Sequence, residues 1–177
     1  DDKLEPHDDH PLNRYTAGSL SSPERFRRDW NRSFVLETDD PPRGVAVLVH
    51  GLTDAPYSML RLATLYNAAG YVAVVPRMPG HGTVPGALVR ADRSQWQATV
   101  AVAMAEATRR AGGRMPVHLV GYSNGAALAL LHEVERLRGG QRADADRLVL
   151  LSPVVKVSAF ARYAGLAGLP ALLPRYA

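Results

Sequence analysis

The sequence predicts an α/β protein: a mostly parallel sheet with helices on both of its faces. Three observations lead there. The runs VAVLVH at 45–50, YVAVV at 71–75 and VHLVG at 117–121 have the unbroken hydrophobicity of strands buried on both sides. Segments with apolar residues at helical spacing lie between them. Glycine, proline and aspartate mark the junctions, so strand and helix alternate as crossover connections require.

In chain order, residues 1–13, DDKLEPHDDHPLN, are acidic, proline-interrupted and poor in apolar residues, which is the composition of a solvated arm. His7 and His10 beside Asp8 and Asp9 are metal-ligand types, but nothing near them would fix a geometry, so the reading is a flexible tail and no metal site. The core is read over 14–155. SFVLE from residue 33 is a strand, PPRG a turn, and 45–50 the first buried strand. TDAPYSMLRLATLYNAAG follows as a helix with Met59, Leu62, Tyr66 and Ala69 on one face, Asp54 and Pro56 as start signals and Gly70 as the stop.

After the strand at 71–75, PRMPGHGTVPG reads as a long loop. SQWQATVAVAMAEATRRA reads as a helix opened by a Ser94/Gln97 capping box, with Trp96, Val100, Ala103, Ala107 and Ala111 facing inward. The strand at 117–121, a helix at 124–138 and a strand at 147–155 complete the alternation. Residues 156–177 are apolar, rich in small residues and broken by glycine and proline.

Composition narrows the function classes. A chain of 177 residues with 46% hydrophobic and 21% charged residues is an ordinary globular domain. The net charge is +4, carried almost wholly by scattered arginines, and no nucleic-acid-binding motif accompanies it, so no nucleic-acid partner is expected. There is no cysteine, hence no disulfide, no thiolate nucleophile and no evidence of redox compartment. No run approaches the ~18 apolar residues of a membrane span. The chain opens on Asp1 rather than Met, from which removed N-terminal sequence is expected, with an export signal among the candidates. The compartment is otherwise unknown and leans to the cytoplasm.

The chemistry concentrates in LVGYSNGAALALLHE, 119–133. Ser123 stands between Gly121 and Gly125, where an apolar strand meets an apolar helix. In that context a G-x-S-x-G run makes a strained turn that exposes the hydroxyl, and the glycines remove β-carbons that would clash. A serine that merely capped the helix would not need both glycines. A second signal is LVHGLTDA, at the end of another strand. Attack on a carbonyl places negative charge on its oxygen, which two preorganised N–H groups can stabilise. The expected donors are the backbone of Asn124, at the positive end of its helix, and of Leu52, with Gly51 allowing close approach.

These stretches, VLVHGLTDAPYSM, PRMPGHG and LVGYSNGAALAL, resemble the α/β-hydrolase superfamily in its carboxylesterase and monoacylglycerol-lipase-like branch, over roughly residues 33–160. The resemblance implies that Ser123 is the nucleophile and that Leu52 and Asn124 form the oxyanion hole. It makes His50 a residue that shapes the hole, and His81 of PGHG an architectural residue of a loop beside the site. It implies carboxylic ester hydrolysis through an acyl-enzyme, a small-molecule ester substrate and no cofactor.

That family's acid and histidine follow later strands, in the order Ser, Asp or Glu, His. They are not in this sequence, so the expectation is a further segment of the same protein that carries them, and a fragment inactive by itself. Local substitutes fail. His118, five residues before Ser123, lies about 16 Å back along its strand, and His132 faces the opposite side of its helix. His50 and His81 lie at strand ends but lack an obvious carboxylate to orient them. In the resembling family a lid begins where 156–177 falls. An alternative reading is a non-catalytic binding protein on the same fold.

Overall fold

The computed structural model describes Ser22, residues 25–83 and residues 85–154. The acidic arm and the 156–177 segment lie outside the described residues. Five strands form one sheet: β1 (Phe34–Leu36), β2 (Gly44–Val49), β3 (Tyr71–Val75), β4 (Val117–Tyr122) and β5 (Arg147–Leu151), in the order β1-β3-β2-β4-β5. β1 pairs antiparallel with β3 at one edge, and every other pairing is parallel.

The two-residue period of a strand explains how the helices are distributed. Val45, Val47 and Val49 of β2 point into one core with Val100, Met104 and Ala107 of α2 (Arg93–Ala111) and Leu128 and Ala129 of α3 (Asn124–Arg138). Ala46 and Leu48 point the other way, onto Met59 at the start of α1 (Leu60–Ala68) and Ala63 within it. All six residues of β2 are buried. Each buried valine or leucine side chain contributes roughly 1.5–3 kcal/mol relative to exposure, so the central strand anchors both layers.

Several boundaries differ from the sequence reading, each for a local reason. α2 begins two residues earlier: Asp92 accepts the Gln95 N–H at 3.0 Å while its own N–H donates to Gln95 Oε1 at 3.1 Å, so the capping box is Asp92/Gln95 rather than Ser94/Gln97. Both pairs fit the motif, but Ser94 is occupied, donating its hydroxyl to Asp92 at 2.6 Å. The helix expected from Asp54 starts instead as a 3₁₀ turn, Pro56–Met59, whose N-cap is Ala55 and uses no side chain. The loop after β3 contains another 3₁₀ turn, Pro85–Arg90. β5 stops at Leu151 because Ser152 takes φ 47°, outside the extended region, just before Pro153. No helix among the described residues is long and apolar enough to cross a membrane.

Candidate active site

Parallel pairing brings the two signals together. β2 and β4 run side by side with Val49 opposite Gly121, so the residues that follow them, His50-Gly51 and Tyr122-Ser123, emerge at the same carboxyl edge of the sheet.

Ser123 sits at φ 53°, ψ −117°, a conformation that costs a non-glycine residue about 1–3 kcal/mol. The strain persists because the surroundings over-determine it. The Ser123 N–H donates to the Leu151 carbonyl at 2.9 Å, and the Ser123 carbonyl accepts from Ala126 and Ala127 at 3.1 and 3.2 Å. Both flanking glycines are sterically required. A β-carbon on Gly121 would collide with the Gly125 carbonyl and the Ala126 backbone, and one on Gly125 with the Val49 and His50 carbonyls. The Ser123 side chain makes no capping bond to α3.

Asn124 is the first residue of α3, and its N–H has no partner among the described residues, as expected of a first helical turn. The Leu52 N–H likewise has none. Its direction follows from its peptide plane. The Gly51 carbonyl accepts from His50 Nδ1 at 2.9 Å and from the Asp54 N–H at 3.3 Å. In a trans peptide the N–H lies opposite the carbonyl, so the Leu52 N–H is aimed away from the His50 ring. A β-carbon on Gly51 would stand 3.5 Å from the Ser123 β-carbon, 3.3 Å from the Tyr122 ring and 2.6 Å from Asp54 Oδ2. Gly51 therefore lies directly against the serine.

The two loop histidines are tied into backbone. His50 is 1% exposed, and its Nε2 accepts the Met78 N–H at 3.1 Å, which leaves the ring proton on Nδ1 to reach Gly51. Burial, assisted by the neighbouring His81, lowers its pKa to about 4, against the opposing effects of the Gly51 bond and Asp54, so the ring is neutral at pH 7. His81 lies edge-on to His50 with ring centroids 5.0 Å apart. Its Nε2 meets the Leu52 carbonyl at 2.7 Å and its Nδ1 the Pro79 carbonyl at 3.0 Å, while Trp96 Nε1–H also donates to Pro79. The peptide planes on both sides of Leu52 are thus held by imidazoles, one through the Gly51 carbonyl and the other through the Leu52 carbonyl.

The other described histidines stand elsewhere. His118 is buried against Tyr66 and Tyr71, and His132 pairs through Nε2 with Asp144 at 3.1 Å on the far part of α3. The sequence reading missed two participants. Met78 acts through its backbone N–H, which no side-chain pattern reveals. Asp54, taken there as a helix start signal, instead folds over Gly51. Tyr122, Leu151 and Val154, between 39% and 42% exposed, adjoin Ser123 by sequence or by backbone hydrogen bond, and Leu52, 41% exposed, lies on the facing turn after Gly51.

Comparison with known proteins gives concordant matches. Residues 40–175 match the hydrolase family described as serine aminopeptidase, S33. The chain is 44% identical over 62 residues to the thermostable monoacylglycerol lipase of Bacillus sp. (strain H-257), covering 35% of this chain and 24% of that protein. Among solved structures, one reported for the metagenome-derived lipolytic enzymes LipS and LipT superposes with TM-score 0.62 at 24% identity, over 82% of this chain and 54% of that one. The Paleococcus ferrophilus monoacylglycerol lipase gives 0.54 at 24%, over 80% and 52%. These are likenesses of fold, and the chain spans about half the length of those two structures.

Proposed function

The chain belongs to the serine aminopeptidase S33 family of hydrolases, and on that footing we propose that it carries the nucleophilic part of a serine hydrolase acting on carboxylic esters with acyl or lipid-like groups. The observation that carries the reading is Ser123, held at φ 53° between two glycines that cannot be replaced, beside two backbone N–H groups without partners among the described residues. In the proposed reaction Ser123 Oγ attacks the ester carbonyl. The Leu52 and Asn124 N–H groups donate to the resulting oxyanion, each worth about 3 kcal/mol in such sites. Collapse expels the alcohol and leaves an acyl-serine, which water then hydrolyses.

The proton must leave Ser123 for a base. His50 has both ring nitrogens engaged by backbone, His81 faces the Pro79 and Leu52 carbonyls with its two nitrogens, and His132 is paired with Asp144. The base and its orienting carboxylate are therefore assigned to residues other than those described, on a further segment of the protein. Leu52, Tyr122, Leu151 and Val154 leave apolar surface exposed on the segments next to Ser123 and Gly51, which suits an acyl chain, since each buried methylene contributes about 0.8 kcal/mol. The likeness to the thermostable monoacylglycerol lipase supports the same substrate class.

The test uses the full-length protein with a fluorophosphonate probe and p-nitrophenyl butyrate. Labelling should vanish in Ser123→Ala, and hydrolysis should fall by at least about a thousandfold. Absence of labelling in the wild type would favour a non-catalytic binding protein on this fold.

A further inference from the structure

Asp54 places a carboxylate beside the candidate nucleophile with nothing to hold among the described residues. Its Oδ2 lies 2.6 Å from the point a Gly51 β-carbon would occupy, and the Ser123 β-carbon lies 3.5 Å from that same point. The position is built into the turn, because the Asp54 N–H donates to the Gly51 carbonyl at 3.3 Å. The residue is partly buried. Among the described residues its carboxylate makes no hydrogen bond and no ion pair. It caps no helix, since the following 3₁₀ turn is capped at Ala55 without a side chain.

Such a charge has a cost at this place. A carboxylate close to an oxyanion hole opposes the negative charge that develops on the substrate oxygen. It also loses solvation as a substrate closes over it, unless the substrate supplies a donor. Among the described residues neither an arginine nor a backbone amide pairs with it. Where a bound substrate displaces solvent from it, the substrate itself can supply the donor.

We propose that Asp54 is a specificity-determining residue whose carboxylate accepts a hydrogen bond from an N–H or O–H group carried by the substrate within a few bonds of the scissile carbonyl. This rests on the hydrolase reading above and refines its substrate class: plain alkyl esters become poorer substrates than esters bearing a donor. An ammonium on the acyl side and a hydroxyl on the alcohol side share this chemistry. Among substrates of similar size, discrimination by a buried polar group exceeds what an added methylene achieves, because the mismatched substrate leaves that group unpaired.

The experiment measures kcat/KM of the full-length enzyme for methyl butyrate, methyl 2-aminobutyrate and glycerol monobutyrate, with wild type, Asp54→Asn and Asp54→Ala. The wild type should prefer at least one donor-bearing ester over methyl butyrate, and that preference should fall by about tenfold in Asp54→Ala. Which ester loses its advantage identifies the donor. Asp54→Asn keeps size and an acceptor oxygen without the charge, so it should lose the whole preference for the amine but only part of that for the hydroxyl. It also preserves the test if the alanine variant folds poorly. Ratios within about twofold of wild type for both donor-bearing esters would overturn the proposal, as would a wild type with no preference. If the wild type hydrolyses none of the three and Ser123 resists the fluorophosphonate, the hydrolase reading falls and this inference with it. Probe labelling with unchanged ratios overturns the role of Asp54 alone.

Discussion

The Nε2 atom of His50 accepts the backbone N–H of Met78 at 3.1 Å, joining the end of β2 to the loop that leaves β3. One proton location follows from it. With Nε2 engaged as an acceptor, the neutral ring carries its hydrogen on Nδ1 and donates to Gly51, orienting the peptide that contains the Leu52 N–H.

This arrangement makes stability depend on pH. The folded pKa of His50, about 4, lies below its ordinary 6.5, so the unfolded chain takes up the proton first as pH falls. Its contribution is constant above pH 6.5, declines between 6.5 and 4, and levels off below, a total loss of about 3 kcal/mol. Urea midpoints measured from pH 8 to pH 4 should show this component in the wild type and lack it in His50→Gln. Parallel pH profiles for the two proteins would contradict the neutral, buried assignment.

The clamp on Leu52 should matter for reactivity. Replacing His81 by Phe keeps a ring against Trp96 and His50 but removes the 2.7 Å bond to the Leu52 carbonyl. Fluorophosphonate labelling of Ser123 in the full-length protein should slow by about tenfold, because a donor loop left to rotate is no longer preorganised. Labelling at the wild-type rate would show that the loop holds its shape without the imidazole.

Gly125→Ala should cost at least about 3 kcal/mol, since its β-carbon meets two backbone carbonyls that cannot move aside like a side chain. Gly86→Ala serves as the control: a β-carbon there meets nothing within 4 Å, and a change within about 0.5 kcal/mol is expected. Thermal unfolding of both variants decides, and equal effects would refute the steric account.

Glu133 supplies a separate test of the scaffold. Although 5% exposed, it accepts the N–H groups of Asp144 and Ala145 at 3.0 and 3.1 Å, holding the approach to β5. Glu133→Ala leaves two amides without an acceptor and should destabilise by roughly 2–4 kcal/mol in urea unfolding. Glu133→Gln retains one acceptor oxygen and should cost about half as much. A loss under ~1 kcal/mol for the alanine variant would mean that water replaces the carboxylate.

Much of the scaffold was legible because its signals are local. The buried strands at 71–75 and 117–121 and the helix at 124–138 follow from side-chain period and from breakers a few residues away. The α2 cap was misplaced by two residues because Asp92/Gln95 and Ser94/Gln97 satisfy the same pattern, and only hydrogen-bond geometry separates them. The place of Ser123 on its turn was readable for a similar reason: Gly121 and Gly125 leave it few alternatives.

By itself, then, the sequence determined the alternation of strands and helices, the serine on a glycine-flanked bend, and a histidine-glycine pair at a strand end, all through sterics and burial acting over a few residues. Only the tertiary structure decided which nitrogen of His50 bears the proton, that His81 grips Leu52, and that Asp54 lies over Gly51 instead of opening a helix. The first two depend on partners 28 and 29 residues apart, brought to one sheet edge by parallel strand pairing. Nothing in the local chemistry of either segment specifies that meeting.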